Sequence, residues 1–108
     1  MSKNYNHPEK IRIAGQDFDI DHCEILAHQN RYGVFNSLEK TIKVDFEAKD
    51  QALDTLLHEI LHGVYWQYNI KPEDDEERTV TTMATGLTQI FKDNPEFIDW
   101  IKTEATKK

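Results

Sequence analysis

The chain has 108 residues, 31% charged and 38% hydrophobic, with a formal net charge of −7. That length suits one domain with a modest core, and no apolar run approaches the length that crosses a bilayer. The acidic balance argues against duplex nucleic acid as a partner, because phosphate binding needs clustered Lys and Arg.

The opening "MSKNYNHPEK" has no apolar core and does not read as a secretory signal. "KIRIAGQDFDID" alternates apolar and polar residues on both sides of Gly15. Ile11 and Ile13 share one face, as do Phe18 and Ile20, which predicts a hairpin with its turn near Ala14 to Asp17. Cys23 is the single cysteine. It has no internal disulfide partner, which fits a reducing cytoplasm and a small buried side chain and excludes a multi-cysteine zinc knuckle. "RYGVFNS" and "KTIKVDFE" make a second strand pair joined through "NSLEK". In the latter, Ile42, Val44 and Phe46 alternate with Lys43 and Asp45, as in a strand with one wet face.

From about Asp50 the period changes. Leu53, Leu56, Leu57, Ile60, Leu61 and Val64 follow helical spacing to about Tyr68, and Pro72 marks the break. "EDDEERTVTTMATGLTQIFKD" predicts a second helix with Val80, Met83, Ala84, Leu87, Ile90 and Phe91 on one side. "NPEFIDWIKTE" opens a third, with Asn94 as N-cap, Pro95 in the first position, and Phe97, Ile98 and Ile101 to dock it. The closing "TKK" is too short to be a binding arm. With no repeat or linker, residues 1–108 read as a single α+β domain: a small twisted sheet of three to four short strands packed on two long helices and a short C-terminal one.

The stretch "LLHEILHGVY", residues 56–65, carries the chemistry. On a helix, His62 lies about 40° from His58 and one turn along, while Glu59 lies about 100° round from His58. Both histidines border the apolar face, where a cleft can open. Two imidazoles so placed can reach one zinc ion, and the glutamate beside them can move a proton without being a ligand. H-E-x-x-H is the metalloprotease pattern, and here it falls inside a clear helix. The bland reading is two half-buried helix histidines and a solvated Glu59.

Catalytic zinc takes three protein ligands and keeps one open position. No histidine follows His62, which excludes the three-histidine form of the motif. His7, His22 and His28 lie before it, and the downstream candidates are the carboxylates of "PEDDEER". Glu76 points into the apolar arc of the second helix and Glu77 lies at its edge, with Thr81 one turn below. A site at the mouth of the helix pair favours Glu77 and leaves Glu76 open. Against both stands a capping role, with Asp74 and Glu77 spaced as a capping box.

These residues resemble the gluzincin metallopeptidases, in which an H-E-x-x-H helix supplies two ligands and a glutamate on a following helix the third. The chain is most similar to small single-domain minigluzincins and to proteins of this size encoded by phages and prophages, with ImmA/IrrE-like peptidases more distant. The likeness rests on "LLHEILHGVYWQY" and "EERTVTTMATGLTQIFKDNPEFIDWI" and covers roughly residues 50 to 101. It implies His58, His62 and Glu77 as zinc ligands and Glu59 as general base. It also implies a mixed or antiparallel sheet whose edge strand holds an extended peptide substrate, with "KTIKVDF" as the candidate strand. The short spacing from His62 to Glu77 and the adjacent glutamate depart from the family pattern.

Around the motif, Tyr65 falls on the ligand side of the helix and is a candidate oxyanion donor or a packing residue. Trp66 and Tyr68 read as packing or surface residues. Asn69 either orients a ligand or ends the helix, and Gly63 admits a close neighbour. The sequence thus predicts a cytoplasmic zinc hydrolase, a metallopeptidase with a peptide or protein substrate and no nucleic-acid or membrane partner. The alternatives are a zinc-binding interaction or regulatory protein without turnover, and a metal-free helical domain.

Overall fold

Two tight turns fold the first half into a sheet. In the computed structural model, which describes residues 7–24, 32–48, 51–70 and 75–107, β1 (Lys10–Ile13) and β2 (Gln16–His22) form a hairpin. Ala14 and Gly15 turn it with φ of 50° and 82°. A two-residue hairpin turn of this hand needs positive φ at both positions, which Gly15 adopts freely. β3 (Gly33–Asn36) and β4 (Thr41–Val44) form the second hairpin. There the Asn36 side-chain oxygen accepts from the backbone N–H groups of Leu38 and Glu39, at 3.0 and 2.9 Å, and closes the turn.

The hairpins join through β2 and β4, which pair in parallel with Ile20 opposite Ile42, giving a mixed sheet of order β1-β2-β4-β3. β4 therefore has both edges paired, and "KTIKVDF" is not the edge strand. Among the described residues, the edge strands of the sheet are β1 and β3. Strand alternation sets which faces are dry, but which strand becomes the edge is decided by the crossover between β2 and β3. Phe18, Ile20, Ile42, Val44 and Phe46 are buried, and Ile13 with them.

Helix α1 (Ala52–Gln67) covers this face, with Leu56 and Ile60 against the core. Gly63 sets how close it comes: a Cβ there would lie 2.7 Å from Ile13 Cδ1 and 3.2 Å from Phe35 Cε1. Asn69 ends the helix in the left-handed region, φ 54°. Its N–H bonds the Trp66 carbonyl and that of Ile70 bonds the Tyr65 carbonyl, the paired closure of a Schellman motif. Leu53, predicted on the apolar face, is exposed.

Helix α2 (Glu76–Asp93) packs along α1 with Val80, Ala84 and Thr88 buried. Met83 and Ile90, predicted on the same side, are exposed, because they fall roughly 100–120° round from Ala84, the centre of the buried strip Val80–Ala84–Thr88. Helix α3 (Pro95–Ala105) buries none of its residues. Phe97, Ile98 and Ile101 do not bury it: they stay exposed, and among the described residues α2 is the element α3 mainly packs against. Asn94 stands at its N-cap position, but the side chain turns back and donates to the Ile90 carbonyl at 2.9 Å, finishing α2. Cys23 is free and half-buried, not buried. Among the described residues no helix is long and apolar enough to cross a membrane. Asp50, Pro72, Asp74 and His28 lie outside the described residues.

Candidate metal centre

His58 and His62 sit one turn apart on the side of α1 that meets the start of α2. Their Nε2 atoms lie 3.1 Å apart. Glu77, in the first turn of α2, faces both: Oε1 is 2.8 Å from His58 Nε2 and Oε2 is 3.1 Å from His62 Nε2. One donor atom from each of the three residues lies within 4.8 Å of the others, and the group could hold a metal ion. The distances fit that role. Donors at 2.0–2.1 Å around a tetrahedral ion stand about 3.3 Å apart, a little wider than the spacings here. The donor set, two imidazole nitrogens and a carboxylate oxygen, is one that a divalent cation binds.

The glutamate pair of α2 divides its work. Glu77 occupies the mouth of the site, with 68% of its side chain exposed. Thr81 donates to its Oε1 at 3.3 Å. Glu76 is tucked in, and its Oε2 lies 2.9 Å from His62 Nδ1, the ring nitrogen turned away from the metal group. Both carboxylates lie at the positive end of the α2 dipole, which favours them. Asp75 holds the N-cap position and makes no side-chain cap bond among the described residues. Burial holds the His58 pKa below the ordinary imidazole value, with Glu77 pulling it back up. A lowered value keeps the ring neutral near pH 7, the form in which histidine binds metal.

Glu59 is not a solvated charge. It is 7% exposed and lies under edge strand β3. A Cβ on Gly33 would stand 3.0 Å from Glu59 Cγ and Oε2 and 2.7 Å from Thr55 Cγ2. Glycine at that strand position leaves the carboxylate its place. Glu59 borders a cleft of about 990 Å³ together with the three metal-site residues, β3 residues Gly33 and Phe35, and Tyr65. Asn69 and the exposed Trp66 border it too. Below the site Thr85 donates to Asp54 at 3.0 Å and ties α2 to α1.

The other described histidines stand elsewhere. His7 stacks on Phe46 at 4.2 Å, and His22 Nδ1 accepts from the Phe46 N–H at 3.1 Å. Sequence reasoning brought His58, Glu59, His62 and Glu77 together and missed Gly33. The available signal was a glycine inside a strand pattern, which marks close approach by another group. Comparison with models of protein families, with curated proteins and with solved structures found no match to this chain.

Proposed function

We propose that the chain is a zinc-dependent hydrolase, a metallopeptidase of the gluzincin type, with His58, His62 and Glu77 as its zinc ligands. The observation that carries this is the convergence of three donors from two helices at one point of an open cleft, with the buried Glu59 beside them but outside the set. Three protein ligands of this kind, with space left beside them, are the pattern of catalytic zinc.

Zinc, when bound, supplies a Lewis acid that acidifies water and polarises a carbonyl. Glu59 then takes the proton from the attacking water and delivers it to the departing amine. Its burial between α1 and β3 holds the carboxylate in one place for both transfers. Among the described residues β3 is an edge strand with β4 on one side, and its other side suits an extended peptide laid beside it. Tyr65 borders the same cleft and is a candidate donor to a developing oxyanion.

Glu59→Gln tests the proposal. Zinc content should equal that of the wild type, while hydrolysis of an unstructured peptide library falls by about 10²-fold or more. Loss of zinc from this variant, or undiminished cleavage, would remove Glu59 from the mechanism. A wild type that holds zinc and cleaves nothing would favour a binding role for the centre.

A further inference from the structure

We propose that Glu76 is the positioning residue of this centre: its carboxylate holds the His62 ring through Nδ1 and so commits Nε2 to the ion. The inference rests on the metal-site reading, and its geometry stands apart from it.

Glu76 Oε2 and His62 Nδ1 are 2.9 Å apart, and each side chain is about four-fifths covered, at 22% and 18% exposure. An ionised carboxylate only accepts, and one faces each ring nitrogen: Glu76 at Nδ1 across 2.9 Å with 22% of its side chain exposed, and Glu77 at Nε2 across 3.1 Å with 68% exposed. The shorter and better covered contact keeps the hydrogen on Nδ1. A neutral imidazole has one N–H. Nε2 is then the bare nitrogen, and it faces His58 Nε2 and Glu77 Oε2, both at 3.1 Å. Consecutive residues on a helix point about 100° apart, so Glu76 and Glu77 cannot serve the same side of one ring. One takes the face with Nε2 and the other takes Nδ1. The adjacent glutamates are thus a ligand and the group that orients another ligand. A carboxylate behind a ligating histidine fixes the ring and raises its basicity, and losing such a partner typically weakens metal binding 10- to 100-fold. The competing role for Glu76 is a favourable charge at the start of α2. That role predicts a small loss of stability and no change at the ring.

The test compares the wild type with Glu76→Gln and Glu76→Ala. Ring nitrogen shifts of His62 are read by NMR in metal-free protein at about pH 8, where imidazole is neutral, and assigned with a His62→Asn sample. Zinc Kd is then measured by competition with a chromophoric chelator. The wild type should show the Nδ1–H form. Glu76→Ala should move the ring toward Nε2–H and weaken zinc by roughly 10- to 100-fold. Glu76→Gln, which keeps an acceptor, should lie between. An Nε2–H ring in the wild type overturns the proposal, and so does a Glu76→Ala protein with unchanged ring and Kd. If circular dichroism shows that Glu76→Ala fails to fold, the wild-type ring form and the Gln variant decide. A wild type that binds no zinc but shows the Nδ1–H form would sink the hydrolase reading and leave the hold of Glu76 on His62 intact.

Discussion

The charge on Glu59 is placed by a missing atom. With glycine at position 33 the edge strand comes within van der Waals reach of the Glu59 side chain; with alanine the new Cβ meets Thr55 Cγ2 at 2.7 Å and Glu59 at 3.0 Å. Gly33→Ala should therefore shift the carboxylate without touching a metal ligand. An ångström of misplacement costs about 10²-fold in rate. Turnover should fall by that order while zinc per chain is unchanged, and steady-state kinetics beside elemental analysis reads both. Equal turnover would mean that Glu59 does not depend on the strand. His58 supplies a second prediction. Its pKa in the folded protein is lowered, chiefly by burial, so between that value and the unfolded value of about 6.5 the unfolded chain binds more protons. The metal-free protein should hold this contribution above about pH 6.5 and lose it as the pH falls toward the folded value. A His58→Gln variant should lack that part of the slope in denaturant titrations across this range.

Helix α1 carries the proposed ligands His58 and His62, the proposed base Glu59 and core contacts at once, and Gly63 lets it lie low on the sheet. A β-branched side chain there would press on Ile13 and Phe35, so Gly63→Val should cost about 1–3 kcal/mol by overpacking, read as a lower denaturation midpoint. Neutral stability would show that the helix can ride higher without loss. The α1 ligand spacing and the alternation of β4 were legible in the sequence because each is a local period. The edge position of β3 was not, since a period of two names the faces of a strand and not its neighbours. The same limit explains α3: the spacing of Phe97, Ile98 and Ile101 marks an apolar face, but only packing decides whether anything covers it, and here they stay exposed. Glu77 over Glu76 was half legible. The helical wheel put one at the edge of the arc and one within it, but the role of the inner glutamate depended on the Nδ1 side of His62, which no spacing reports.

The molecule is a small core with the candidate site on its rim. Ile42 and Val44 are fully buried in the parallel pair at the centre of the sheet, and the cleft lies where α1, the start of α2 and β3 meet above them. Ile42→Ala should cost about 2–5 kcal/mol. Ile101→Ala, on the exposed α3, should stay within about 0.5 kcal/mol, and chemical denaturation of the two variants would show the contrast. Similar losses would mean that α3 belongs to the core. The central claim is that His58, His62 and Glu77 form a metal centre, and the most direct measurement is metal content. Elemental analysis of protein purified without added metal, beside a His58→Ala/His62→Ala variant, should give about one zinc per wild-type chain and none in the variant. No zinc in either protein, even after zinc is added back, would contradict the account and leave the two histidines as ordinary residues of a helix.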